Sequence, residues 1–137
     1  MPYHARGNGV YETRLSRERE MLDISGEGEG GEMKRIYVAG PYNSNNVIGV
    51  LDNIHDGLKV CVKVLKDGNA PFAPWLDYQF HFFDKTLTIE DYYRYSMAWL
   101  EVSDEVWVLP TYRVSKSKGT KAEIERAEDL GIPVRYL

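Results

Sequence analysis

The sequence predicts an alternating α/β domain with a parallel sheet and with helices on both faces of that sheet. Short runs rich in β-branched and aromatic residues alternate with longer segments of helical periodicity, in the order strand, helix, strand, helix, strand, helix, strand. Crossovers between parallel strands are right-handed, which places the intervening helices on both faces. The length of 137 residues and the hydrophobic fraction of 43% suit one packed domain.

Residues 1–33 differ from the rest and are predicted to form a flexible N-terminal extension before an α/β domain at 34–137. The extension mixes charges with glycines and ends in a Gly/Glu run, "GEGEGGEM". A second hypothesis is that it is a translated leader, because codons for "GEGGEM" would form a purine-rich run before an ATG, like a bacterial ribosome-binding site. N-terminal sequencing of the native protein decides between them, since Met1 or Pro2 at its start would exclude a start at Met33.

The domain begins with "RIYVAG" (35–40), a β-rich run stopped by Gly40-Pro41 and predicted to be a buried strand. A helix is predicted within "NVIGVLDNIHDGLKVCVKVLKDG" (46–68), ending at Asp67-Gly68. Its predicted inward face carries residues at helical spacing, namely Leu51, Ile54, Leu58, Cys61 and Leu65.

The same signals predict the remaining elements, which are, in order, a strand at 69–74, a short helix and loop at 75–88, a helix at 88–103, a strand at 104–110, a helix at 121–131 and a strand at 132–137. Thr88 is the expected N-cap of the second long helix, with Asp91 three residues later. Gly131 is expected to end the last helix.

Parallel sheets bind ligands beyond the carboxyl ends of their strands, near the switch in strand order. Three segments are predicted to meet on that rim: "GPYNSN" (40–45), "PWLDYQF" (74–80) and "PTYRVSKSKGT" (110–120). The first segment supplies the candidate substrate-binding residues Gly40, Tyr42 and Asn43.

The third segment runs straight into a helix N-terminus, where free backbone N–H groups favour anions. Ser115, Ser117, Gly119 and Thr120 could therefore form a cradle for an anionic substrate group. The alternative is that the serine and threonine side chains simply cap the helix.

Glu123 lies in the first turns of that helix and has two interpretations. A carboxylate there is stabilised by the helix dipole, which is a purely structural role. If Glu123 faces the rim instead, its carboxylate could attack an electrophilic sugar carbon, because a glycosyl ester both forms and breaks readily.

Composition excludes several classes of function. The formal net charge of −4 argues against a general nucleic-acid partner. The single cysteine, Cys61, excludes an internal disulfide and a cysteine-rich zinc site. No apolar stretch is long enough to cross a bilayer, so the sequence predicts a soluble, cytoplasmic protein without a membrane partner.

Three stretches, "RIYVAGPY", "AWLEVSDEVWVLP" and "SKGTKAEIERAEDLGIPV", resemble the nucleoside 2-deoxyribosyltransferase-like superfamily, which includes deoxynucleoside 5′-monophosphate N-glycosidases. The resemblance covers about residues 34–137. It implies a flavodoxin- or Rossmann-like three-layer domain with a small parallel sheet of four or five strands. It also implies cleavage of the N-glycosidic bond of a (deoxy)nucleoside or nucleotide, with transfer of the sugar to another base or to water.

The resemblance also assigns roles to individual residues. Glu123 matches the catalytic glutamate that forms the covalent sugar intermediate, and Tyr37 matches a tyrosine close to it. Ser117 matches a serine that holds the 5′-phosphate, and Gly119 allows close approach of the backbone. No metal or redox cofactor is required, and members are usually homodimers or higher homo-oligomers, with 75–83 as a candidate contact.

The sequence departs from the superfamily pattern at Ser96, where many members carry an aspartate that acts as general acid to the leaving base. A serine hydroxyl is too weak an acid for that step. Asp91, Asp77 and Glu90 are nearby candidates to replace it. Pro41 likewise stands where a phosphate-binding serine is common.

Two other interpretations remain open. The cleft could bind a nucleotide without turnover, as the loss of the aspartate suggests, or the motif could be a relic in an interaction protein, with the cleft filled by Tyr42, Trp75 or Tyr112. A metal site formed by Asp77, His81 and Asp84 at helical spacing is a weaker alternative. A carboxylic acid opposite Glu123 in the cleft would favour the enzyme.

Overall fold

The computed structural model describes residues 31–110, 114 and 116–137. Lys34–Leu137 form one compact unit. Residues 1–30 of the predicted extension, the segment 111–113 and Ser115 lie outside the described residues.

Four strands and four α-helices alternate along the described chain. They are β1 (Arg35–Ala39), α1 (Val47–Lys66), β2 (Ala70–Phe72), a 3₁₀ helix (Pro74–Gln79), α2 (Phe80–Phe83), α3 (Ile89–Glu101), β3 (Glu105–Val108), α4 (Lys118–Asp129) and β4 (Val134–Tyr136). The element order agrees with the order predicted from the sequence.

The four strands form a parallel sheet in the order β2-β1-β3-β4. The fold-class prediction of a small parallel α/β sheet is therefore confirmed. The chain moves from β1 to β2 on one side and then crosses to β3 on the other side, so the switch in strand order lies between β1 and β3. Tyr37 pairs with Phe72 and Val106 at this centre, and it is completely buried.

Helix α1 turns Ile54, Leu58 and Cys61 to the core as predicted, but the two ends of the predicted inward face, Leu51 and Leu65, are exposed. Leu51 and Leu65 are 57% and 48% exposed, whereas Asn53 and Gly57 are buried beside Ile54. A Cβ atom at Gly57 would lie only 2.5 Å from the Trp75 ring. The indole therefore needs the glycine opposite it, and this contact fixes the rotation of α1.

Trp75, in the first turn of the 3₁₀ helix, ties three parts of the chain together. Its side chain is almost completely buried, and its Nε1 donates a hydrogen bond to the Pro41 carbonyl oxygen at 3.0 Å. A Cβ atom at Gly40 would also lie 3.0 Å from the same ring. The loop after β1 is thus held against the segment that follows β2.

Replacing Gly57 with alanine should lower the free energy of unfolding by about 1–3 kcal/mol, because the added methyl overlaps a rigid, buried indole. Gly119→Ala is the matched control, since, its chain neighbours and its own helix backbone aside, no atom of the described residues lies within 4 Å of the position its Cβ would take. That control should be neutral or slightly stabilising. Denaturant titrations compare the two variants, and equal effects would contradict the proposed constraint.

Candidate active site

A cavity of about 410 Å³ lies beyond the carboxyl ends of β1 and β2. Its lining comes from the loop after β1, the segment after β2 that includes the 3₁₀ helix and α2, and helices α3 and α4. The sequence analysis placed the ligand rim at these strand ends. Glu123 and Asp77 both line this cavity.

The Glu123 carboxylate is the most deeply placed acid of the cavity. Its Oε2 atom is inaccessible and has no hydrogen-bond partner among the described residues. Burial raises the pKa of Glu123 to about 8, and the negative charge of Asp77 adds to the shift, whereas the Tyr37 hydroxyl opposes it. Glu123 therefore projects inward, and it is not a wet surface charge.

Tyr37 lies on the central strand next to Glu123. Burial raises the pKa of its phenol well above the usual range, with the Glu123 charge as the second cause. The Tyr37 hydroxyl affects the pKa of Glu123, yet neither Tyr37 Oη nor Glu123 Oε2 completes a hydrogen bond within the described chain. Glu123 lines the cavity and Tyr37 does not, so the Glu123 carboxyl is the member of this pair that a ligand can meet.

Ser96 also lines the cavity and is buried. It lies close enough to Tyr37 for its hydroxyl to favour the ionised form of the phenol. The position that bears an aspartate in the resembled superfamily therefore faces the cavity, with a serine in its place.

Asp77 supplies the second carboxyl of the cavity. It lies on the 3₁₀ helix two residues after Trp75, and burial raises its pKa to about 6. The negative charge of Asp77 contributes to the raised pKa of Glu123. Paired acids in unequal environments are typical of sites that divide acid and base roles.

Of the two other acids considered as replacements for the missing aspartate, Glu90 is exposed and outside the cavity lining, and Asp91 serves as a helix cap. Its Oδ2 accepts a hydrogen bond from the Thr88 backbone N–H at 2.8 Å, and the Thr88 hydroxyl accepts one from the Asp91 N–H. These hydrogen bonds hold the pKa of Asp91 below its usual value. Asp91 is exposed and is not part of the cavity lining.

The predicted anion cradle is used for capping in the described structure. Ser117 Oγ accepts a hydrogen bond from the Thr120 backbone N–H at 3.2 Å and lies 2.8 Å from Thr120 Oγ1. Gly119 is exposed, and Thr120 is buried. None of the three lines the cavity, and Ser115 and Tyr112 lie outside the described residues.

The loop after β1 lies where the sequence analysis placed it, and Gly40, Tyr42 and Asn43 line the cavity. The Asn53 side chain on α1 holds this loop, because its Nδ2 donates to the carbonyl oxygens of Tyr42 and Asn43 at 3.1 and 3.3 Å. Burial and the nearby Asp77 raise the pKa of Tyr42 to about 12.

Tyr92 lines the cavity, although the sequence analysis assigned it no functional role. The available signal was its spacing, since Tyr92 and Ser96 are four residues apart and share one face of α3. The suggested metal ligands do not assemble: Asp84 accepts hydrogen bonds from Thr86, and the described residues contain no metal-binding group of His, Cys, Asp or Glu.

A protein-family model described as "Domain of unknown function (DUF7768)" matches residues 34–137. The chain belongs to the DUF7768 family. The DUF7768 match contains every strand of the sheet together with both carboxyl groups of the cavity. No curated protein matches the chain.

In the described part of this DUF7768 protein, no helix combines the length and the apolar character needed to span a membrane.

The free energy of unfolding should depend on pH through Glu123. Its pKa is about 8 in the folded protein against an ordinary value of 4.5, so the folded state holds the proton more tightly. Stability therefore falls as pH rises from about 4.5 through 8. Glu123→Gln removes this titration and should be more stable than the wild type by about 2–4 kcal/mol above pH 8, and by much less at pH 5.

The measurement is a set of denaturant titrations at pH 5, 7 and 9. Glu125→Gln is the matched control, because Glu125 is exposed on the same helix. A stability difference between Glu123→Gln and the wild type that stays constant with pH would contradict a buried, unpaired Glu123 carboxyl.

Proposed function

We propose that this protein is an N-glycosidase or 2-deoxyribosyltransferase that acts on a (deoxy)nucleoside or its 5′-monophosphate. The observation that carries the proposal is the shared cavity, in which the buried Glu123 carboxyl has an unpaired oxygen and Asp77 supplies a second carboxyl. The superfamily resemblance supplies the reaction, and the cavity supplies a nucleophile and an acid.

In the first step, a Glu123 carboxylate oxygen forms an ester bond to C1′ of the sugar while the bond from C1′ to the base nitrogen breaks. The electron pair of the broken bond passes to the base, which takes a proton from the Asp77 carboxyl. Tyr37 lies beside Glu123 and favours its ionised form, so it positions the nucleophile.

In the second step, water attacks C1′ of the glycosyl ester and Asp77, now ionised, takes its proton. The ester bond breaks, Glu123 regains its carboxylate, and Asp77 regains its proton. A second base in place of water gives transfer of the sugar to a new nucleoside.

Asp77 is the general acid in this proposal because it supplies a carboxyl group that Ser96, at the position of the superfamily's aspartate, lacks. Asp77 and Ser96 line the same cavity from different elements, and burial brings the pKa of Asp77 to about 6, close to the range that suits a general acid at neutral pH. Asp91 is less suitable, since its carboxylate is already engaged by Thr88.

Base release is the decisive assay. The wild type should release free base from at least one member of a panel of ribo- and deoxyribonucleosides and their 5′-monophosphates, detected by chromatography. Glu123→Gln should abolish release, and Asp77→Asn should slow it by about 10²–10⁴-fold, because an amide donates no proton to the leaving base.

Glu125→Gln and Asp91→Asn are the controls, since both residues are exposed and lie outside the cavity lining. Release by the wild type that survives in Glu123→Gln would refute the assigned nucleophile. An Asp91→Asn variant slower than Asp77→Asn would move the acid role to Asp91.

The same assay should give a bell-shaped pH profile of kcat/KM on an uncharged nucleoside. The reaction needs Glu123 ionised and Asp77 protonated, which is the less populated singly protonated form because the pKa of Glu123, about 8, lies above that of Asp77, about 6. Both singly protonated forms titrate together, so activity still rises through the lower pKa and falls through the upper one. Activity that rises steadily to pH 10 would contradict a required acid.

A nucleotide-binding module without turnover is the second candidate function. It is favoured by Ser96, which faces the cavity where the acid of the resembled superfamily would stand. A thermal shift with a nucleotide, without base release from any substrate, would support this candidate over the enzyme.

The proposal retains a cytoplasmic location and a homodimer or higher homo-oligomer. Support for the oligomer comes from Phe82 and Ile89, which line the cavity yet are 75% and 85% exposed, and from Phe83, which is 92% exposed. A second copy could cover this apolar surface. Sedimentation as a monomer at micromolar concentration would count against it.

A further inference from the structure

The Tyr92 hydroxyl has no role in the mechanism above, although it belongs to the cavity. Tyr92 projects from α3 into the lining, and its hydroxyl oxygen is inaccessible to solvent without a hydrogen-bond partner in the described chain. Burying an unpaired hydroxyl is unfavourable, so a hydroxyl kept in this state beside a cavity calls for a partner from a ligand.

The groups around Tyr92 form a polar cluster that shares Asp77 with the pair of Glu123 and Tyr37. Desolvation raises the pKa of the Tyr92 phenol, followed by the negative charge of Asp77. The pKa of Tyr42 responds to burial and then to Asp77, Tyr92 and Tyr78. The Tyr42 and Tyr92 phenols therefore both lie within electrostatic range of the Asp77 carboxyl group, and all three residues line the cavity.

The surfaces of this cluster suit a flat aromatic ligand. Tyr42, Tyr78 and Phe82 are aromatic residues of the lining, and aromatic rings stack well on heterocyclic bases. A phenolic hydroxyl both donates and accepts hydrogen bonds, so it can pair with a carbonyl or an amino group on the edge of a base.

We propose that Tyr92 and Asp77 together form the subsite for the leaving heterocyclic base, with the Tyr92 hydroxyl bonded to an exocyclic polar group of that base. Asp77 then faces the ring atom that takes the proton, and the Tyr92 hydroxyl forms a hydrogen bond with the neighbouring edge of the base. This assignment rests on the proposed function, and it makes Tyr92 a residue that determines base specificity.

The test measures binding of free bases, which needs no turnover. Adenine, hypoxanthine, cytosine and uracil are titrated calorimetrically into the wild type, Tyr92→Phe and Tyr95→Phe. Purine and 2-hydroxypyrimidine are the comparators that lack the 6- or 4-substituent. Tyr95→Phe is the matched control, because it loses a hydroxyl from the same helix outside the cavity lining.

For the base that the wild type binds best, Tyr92→Phe should weaken binding about tenfold, as expected for one lost hydrogen bond. The comparator without the exocyclic group should change less than about twofold, and Tyr95→Phe should change neither. The melting temperature of Tyr92→Phe should equal or exceed that of the wild type, because the lost hydroxyl has no protein partner in the described chain.

Equal loss of affinity for a base and its comparator would overturn the proposal, as would no loss at all or no base binding by the wild type. Base binding that depends on Tyr92, without base release from any nucleoside, would sustain the subsite and refute the glycosidase. Base release that depends on Glu123, with base binding and KM unchanged in Tyr92→Phe, would support the glycosidase and refute the Tyr92 subsite.

Discussion

The packing of Trp75 is the constraint on which the rest of the site depends. Its ring occupies space that only a glycine at position 57 leaves open, and its indole N–H holds the Pro41 carbonyl oxygen. Tyr42 follows Pro41, and Asp77 follows Trp75 by two residues. One buried side chain therefore sets both the loop after β1 and the acid after β2, which are far apart in the sequence.

Several polar oxygens near the cavity held by Trp75 are buried in ways that lower the free energy of unfolding. Burial raises the pKa of Glu123 to about 8 and that of Asp77 to about 6, and Tyr37 and Tyr92 keep hydroxyls without partners in the described residues. Each of these features costs stability, and proteins tolerate such costs mainly at functional sites. Their concentration around one cavity is the strongest physical reason to look for chemistry there.

Asp77 and Ser96 illustrate how a chemical role can pass between elements of a fold. A general acid has to reach the leaving group with a suitable pKa, and neither requirement specifies the helix that carries it. Ser96 on α3 and Asp77 on the 3₁₀ helix line the same cavity. A comparison of linear motifs shows only that the aspartate is missing at position 96. The folded chain places the Asp77 carboxyl group in the same cavity.

By itself the sequence determined the order of strands and helices, the cap at Thr88 and Asp91, and the rim on which Gly40, Tyr42 and Asn43 lie, because short-range periodicity and capping encode them. Only the tertiary structure decided which aspartate faces the cavity and that Gly57, and not Leu51, turns inward. It also decided that Ser117 caps a helix outside the cavity lining and that the Tyr92 hydroxyl stays unpaired within the described chain. These outcomes depend on contacts such as that of Trp75 with Pro41, and local sequence patterns carry no information about long-range packing.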